Sequence, residues 1–180
     1  MWIHTNDLNS GGGGAYLQST KASLSIQSSD FIQCLTAADG GGLNLFSHST
    51  TAPDLLEELR FISCESTPGG SHREGGALQI TGSCLIAQFR NALFAHCAAH
   101  EGGAMWLAAN SISTTARISF CFFHGNHATV NPQDIYFWEY TINPLRWSFT
   151  TTTKQFTVYP YHWDNNLRQD SWLPVSNSYS

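Results

Sequence analysis

Two pairs of possible metal ligands sit close together in the chain, Cys97-x-x-His100 and His124-x-x-His127. Thiolate and imidazole at such spacings could build a tetrahedral zinc site if the pairs converged. Cys97, however, shares a repeated position with Cys34 and Cys64, which gives it a packing role. No metal and no other cofactor is therefore expected. The glycine run in "GGGGAYLQSTK" resembles a phosphate cradle in composition only, since no Lys-Ser/Thr follows at the required spacing. Acid–base chemistry needs clustered carboxylates, or a base beside a cation, on an open face. The tail holds His162, Asp164 and Asp170, the one place where such a set is expected. A third kind of chemistry needs no reaction at all. Tyr16, Trp106 and Tyr136 occupy one repeated position, and aromatic faces in a file can stack sugar rings or anchor a protein partner, the alternative being that the C-terminal cap folds back over them.

These residues must be positioned by something, and the chain spells out what it is. Gly-Gly followed by a small residue recurs at Gly12-Gly13-Gly14, Gly40-Gly41-Gly42, Gly75-Gly76-Ala77 and Gly102-Gly103-Ala104, with Pro132-Gln133-Asp134 as a degenerate fifth copy. The third positions step by 28, 35, 27 and 30 residues. Each is followed by apolar-any-apolar, as in Leu78-Gln79-Ile80 and Met105-Trp106-Leu107, the period of a strand with one buried face. Phe31, Phe61, Phe94 and Phe123 come 17 or 19 residues after the small residue. Cys34, Cys64, Cys97 or Asn126 follows each at the third place. Five residues before each Phe stands a further apolar anchor, Ile26, Leu56, Phe89 or Ile118. Ile3 and Asn6 imitate Phe-x-x-Asn, so the repeat is entered partway.

Strands repeating at this period, without a helical pattern, stack turn upon turn, and equivalent residues form columns. The expected fold is all-β, a right-handed parallel β-helix of about four to five turns. The repeats cover 1–137, the first turn being partial, and 138–180 forms an aromatic-rich C-terminal cap within the same domain. Gly-Gly supplies a corner, and a bend is expected near each Phe-x-x-Cys or Phe-x-x-Asn. The segment "STPGGSHRE" reads as a surface loop. The register also places Asp30 beside Arg60 and Glu57 beside Arg90, opposite charges on neighbouring strands. The Cys34, Cys64, Cys97 file is expected to be free buried thiols, with one disulfide as the alternative. Cys84 and Cys121 fall outside that file.

Composition narrows the partners. Charged residues make up 12% of the chain and the net charge is -5. Eight Lys+Arg are too few for a duplex-binding surface, so no nucleic acid is expected. No apolar run reaches the length of a transmembrane helix, and "MWIHTNDLNSGGGG" does not read as a signal peptide.

The pairing of Gly-Gly-Ala-apolar with Phe-x-x-Asn resembles the repeat of the polymorphic outer membrane proteins, bacterial autotransporter passengers. Similar repeats occur in surface proteins of parasitic protists. The motif residues that match are Gly75, Gly76, Ala77, Gly102, Gly103 and Ala104, with Phe123 and Asn126 closing the Phe-x-x-Asn half. Cys stands for Asn in three of the four corners. The resemblance spans residues 3 to about 137 and implies a right-handed parallel β-helix and adhesion. The expected function is a non-enzymatic, adhesin-like recognition module for a glycan or a protein partner, acting through Tyr16, Trp106 and Tyr136. It would sit at the cell surface if the chain belongs to a longer exported protein. The alternatives are a carbohydrate-active enzyme with its acid and base in the cap, and an intracellular scaffold.

Overall fold

A computed structural model describes residues 12–19, 24–47, 54–67, 73–82, 86–109, 115–130, 134–139, 147–151 and 158–162. The described residues are all-β, with parallel strands stacked into sheets, as a β-helix or solenoid requires. Four stacks are visited in rotation. The first holds β1 (Ala15–Ser19), β5 (Leu43–Ser47), β9 (Leu78–Gly82), β13 (Met105–Ala109), β16 (Ile135–Glu139) and β18 (Val158–His162). The second holds β2 (Ser25–Gln27), β6 (Asp54–Glu57), β10 (Ile86–Arg90), β14 (Thr115–His124) and β17 (Trp147–Thr151). The third holds β3 (Asp30–Ile32), β7 (Arg60–Ile62), β11 (Leu93–Ala95) and the second half of β14, which runs through the bend and joins the two stacks. The fourth holds β4 (Leu35–Thr36), β8 (Glu65–Ser66), β12 (Ala98–Ala99) and β15 (His127–Ala128).

The register is the one the repeat alignment requires. Ile26, Leu56, Phe89 and Ile118 pair in file, and so do Leu17 with Leu45 and Leu45 with Ile80. Within the third stack Phe31, Phe61, Phe94 and Phe123 form a continuous column. Their ring centroids are 4.8, 5.1 and 5.0 Å apart and their planes lie within 8° of parallel. Strand spacing sets that distance, so each ring lies flat on the next with no gap.

Three bends per turn are made by left-handed backbone, and each is a column. Gly12, Gly40, Gly75 and Gly102 open the first stack at φ between 60° and 78°. Ser28, Glu58, Asn91 and Phe120 stand between the second and third stacks, and Gln33, Ser63, His96 and Gly125 between the third and fourth. Non-glycine residues in this region carry a cost of order 1 kcal/mol each, which the stacked neighbours offset.

The Gly-Gly-small motif has a separate reason at each position. Gly75 takes the positive φ of 66°. Gly76 meets the next turn so closely that an added Cβ would lie 2.2 Å from the Gly103 carbonyl oxygen. The third residue faces the Phe column: a Cβ on Gly42 would lie 2.7 Å from Phe61 Cδ1.

The interchange of Cys and Asn after Phe is equally local. Cys64 Sγ donates to the Phe31 carbonyl at 3.2 Å and Cys97 Sγ to the Phe61 carbonyl at 3.6 Å. Asn126 Nδ2 makes the same contact to the Phe94 carbonyl at 3.1 Å, while its Oδ1 accepts from Cys97 N at 3.0 Å. A thiol and an amide thus serve one carbonyl ladder. Cys34, Cys64, Cys97 and Cys121 are free and buried. Cys121 fills an inward position two before Phe123, the place Leu59 and Ala92 take in earlier turns. Hydrogen bonding with Cys64, then burial, pushes the Cys34 thiol far up. Cys64 is drawn down by Cys34, but hydrogen bonding with Cys97 and burial outweigh this and push it up to about 12. Cys84 lies outside the described residues, as does most of the "STPGGSHRE" loop.

Asp30 and Arg60 pair as the register demands, with Arg60 Nε donating to Asp30 Oδ1 at 2.6 Å and Nη2 to Oδ2. Glu57 and Arg90 share a register, and the Glu57 carboxylate accepts from the Gln27 amide at 3.4 Å. Within 138–180 the two described strands continue the stacks in parallel: β17 pairs with β14 and β18 with β16. Pro160 stands in β18, the last described strand of its sheet, an edge position of the kind to which Pro within sheets is largely confined.

Candidate functional site

The aromatic position after Gly-Gly forms the column that the repeat requires, Tyr16, Asn44, Gln79, Trp106 and Tyr136 in register, extended by Tyr159. Its exposure is uneven along the file. Tyr16 is 48% exposed, whereas Trp106 and Tyr136 are 6% and 4% exposed. Their rings stack at 6.3 Å and 7°, and with Ala108 they form a small buried cluster of their own. Only Tyr16 of the three offers an open face.

Beside that column the first bend carries acids. Asp39, Glu74 and Glu101 each precede the glycine with positive φ, and Glu74 and Glu101 are bridged in parallel. The backbone holds them in file: Gly40 N donates to the Glu74 carbonyl at 2.9 Å and Gly75 N to the Glu101 carbonyl at 3.0 Å. Asp39 Oδ1 accepts from Glu74 N at 3.1 Å, and Glu74 Oε2 accepts from Gln79 Nε2 at 3.1 Å. Burial, then the charge of Asp39, raises the Glu74 carboxyl to about 7; the Gln79 bond only partly opposes this, and Glu101 adds to it. Glu101 Oε2, Arg73 Nη1 and His100 Nδ1 are buried there without hydrogen-bond partners. A carboxyl that protonates near neutrality, flanked by two others, can donate and accept a proton. Sequence reasoning missed this set. The signal stands in the sequence as an acid in the same repeat position on three successive turns.

The third open feature lies on the outer face of the third stack and its bends. Phe120 is 59% exposed and Phe122 43%, while the column phenylalanines beside them are buried. The Phe122 ring lies 6.2 Å from that of His124, which in turn meets His96 edge-on at 5.1 Å. Phe120 occupies a left-handed bend and Phe122 the outward place held by Asp30, Arg60 and Leu93 in earlier turns.

The four ligands weighed for zinc are not brought together. Cys97 is buried and bonded to the carbonyls of Phe61 and Ala95, whereas His124 and His127 are exposed on different stacks. Among the described residues no group of three or more His, Cys, Asp or Glu side chains is placed to hold a metal. Asp164 and Asp170 lie outside the described residues; His162 ends β18. No helix among them is long and apolar enough to cross a membrane. No family model matches the chain, and neither curated proteins nor solved structures give a match.

Proposed function

We propose that the chain is a right-handed parallel β-helix acting as a non-enzymatic recognition module, with a repeat similar to that of the polymorphic outer membrane proteins and an adhesin-like role. The partner is a glycan or a protein met on an aromatic face. The observation that carries the reading is the exposure of Phe120 and Phe122 on a chain that buries Phe31, Phe61, Phe89, Phe94 and Phe123. Large apolar side chains held open on a rigid strand cost solubility and supply contact area with little ordering entropy. The contact face is thus moved from the Trp106–Tyr136 file to Phe120 and Phe122, with Tyr16 as a separate open ring. The test is a glycan array read with the wild-type chain and with Phe120→Ser/Phe122→Ser. A glycan bound by the first and lost from the second supports the face. Equal binding by both refutes it, and no glycan binding narrows the partner to a protein.

A second reading is favoured by one observation, the near-neutral Glu74 between Asp39 and Glu101. On it the chain is a carbohydrate-active enzyme with Glu74 as general acid and Asp39 or Glu101 as base or nucleophile. That places the chemistry at the first bend of the repeats and not in the tail.

A further inference from the structure

We infer that His96 and His124 form a two-imidazole site for a late divalent transition-metal ion, which clips adjacent turns of the stack. The inference is independent of the recognition reading. His96 follows β11 and His124 ends β14, so the two belong to successive turns, tied by the His96 N to His124 carbonyl bond at 2.9 Å. Both side chains are exposed and can be reached by an ion from solvent.

Their spacing, ordinary for rings packed edge-on, is also one that two rings sharing one ion would show. A metal–nitrogen bond of about 2.0–2.1 Å, plus about 1.2 Å to the ring centre, puts each centroid about 3.2 Å from the ion. Two such rings then lie about 4.5 Å apart at a right angle and about 5.2 Å apart at the tetrahedral angle. The observed separation is 5.1 Å. The planes are inclined at 78°, so the rings meet edge-on and are not stacked, and with the His96 Nδ1 edge against Gly125 the nitrogen that His96 offers an ion is Nε2.

Gly125 makes the approach possible. A Cβ there would lie 2.7 Å from His96 Nδ1 and 2.8 Å from Cε1, so the Nδ1 edge of His96 rests against the bare bend that follows His124. Equivalent bends in earlier turns carry Ser63 and Gln33, and the places matching His124 carry Ile62 and Ile32. The pair is therefore particular to these two turns and not a consequence of the repeat. Imidazole ligands select ions such as Cu2+, Ni2+ and Zn2+ over Ca2+ and Mg2+, with Cu2+ the tightest of the series. Water completes the coordination. The net charge of -5 favours a cation over an anion at the surface.

The test titrates the full chain with Cu2+ and reads the ion by electron paramagnetic resonance. The wild type is expected to show coupling to two imidazole nitrogens. His96→Asn, chosen because Asn tolerates the left-handed bend, and His124→Gln are each expected to weaken binding at least tenfold and to lose the two-nitrogen pattern. His127→Gln is expected to bind as the wild type. Ni2+ should raise the melting temperature of the wild type and of His127→Gln but not of the other two, since the ion spans two turns. Paramagnetic broadening in the wild-type NMR spectrum, which needs no variant, should fall first on the His96 and His124 ring signals. Two-nitrogen coupling absent from the wild type, binding unchanged in His96→Asn and His124→Gln, or broadening centred on other histidines would each overturn the site.

Discussion

Truncation of the phenylalanine column measures how far stability resides in the stacking of turns. Phe94 is fully buried and lies between Phe61 and Phe123 at 5.1 and 5.0 Å. Phe94→Ala removes roughly 110 Å² of buried apolar surface, about 3 kcal/mol at 25 cal/mol per Å². It also removes two ring contacts of about 0.5–1.5 kcal/mol each and leaves a cavity that fixed strand spacing prevents from closing. The expected loss is about 4–5 kcal/mol, at the upper end for such a change. Phe31 has one described ring neighbour, Phe61 at 4.8 Å, and is slightly exposed. Phe31→Ala should therefore cost about 3 kcal/mol. Urea unfolding followed by far-ultraviolet circular dichroism gives both values, provided the denaturant slope is unchanged. A Phe94→Ala loss below about 2 kcal/mol, or equal losses at the two positions, would refute the stacked column as the main source of stability.

Other outcomes follow from single contacts. Asn126→Ala removes bonds to the Phe94 carbonyl, to Cys97 N and to Asp134, and should cost about 2–4 kcal/mol; Asn126→Cys restores only the first and should fall between. Gly102→Ala combines a φ of 60° with a Cβ 2.2 Å from the Met105 carbonyl oxygen, and should abolish soluble expression or cost more than about 3 kcal/mol by urea unfolding. Folding raises the Glu74 carboxyl from 4.5 to about 7, so its protonated form stabilises the fold. That contribution is full below pH 4.5 and lost as pH rises through about 7. Discounted for partial exposure, the loss is about 1–2 kcal/mol between pH 5 and pH 8. The urea midpoint of Glu74→Gln should lack this component. Cys34, Cys64, Cys97 and Cys121 should resist a disulfide reagent at pH 8 until the chain unfolds, because all four are buried and the Cys34 and Cys64 thiols are in addition pushed up, which keeps their thiolates scarce.

The stacking order was legible because the repeat is built from residues with few conformational substitutes. Gly at a positive φ, a second Gly under the next turn and Phe at a fixed distance allow one register, and the pairings of Ile26 with Leu56 and Phe31 with Phe61 obey it. Exposure was less legible. Period-2 alternation says which way Trp106 points relative to its own strand, but not what covers that face, and the pair with Tyr136 is buried. Phe122 shows the converse: it holds the outward place of Asp30, Arg60 and Leu93, and among the described residues none covers it enough to bury it. The acids at Asp39, Glu74 and Glu101 could be found by their shared place before glycine. Their coupling could not, because the raised Glu74 carboxyl depends on the burial and closeness that folding alone provides.

The recognition reading turns on whether the chain binds without reaction. The most direct measurement incubates the wild-type chain and Glu74→Gln with a panel of polysaccharides and follows new reducing ends and unsaturated products. A recognition module gives no product from either chain on any polysaccharide. Product formed by the wild type and lost in Glu74→Gln would contradict it and establish an enzyme centred on Asp39, Glu74 and Glu101.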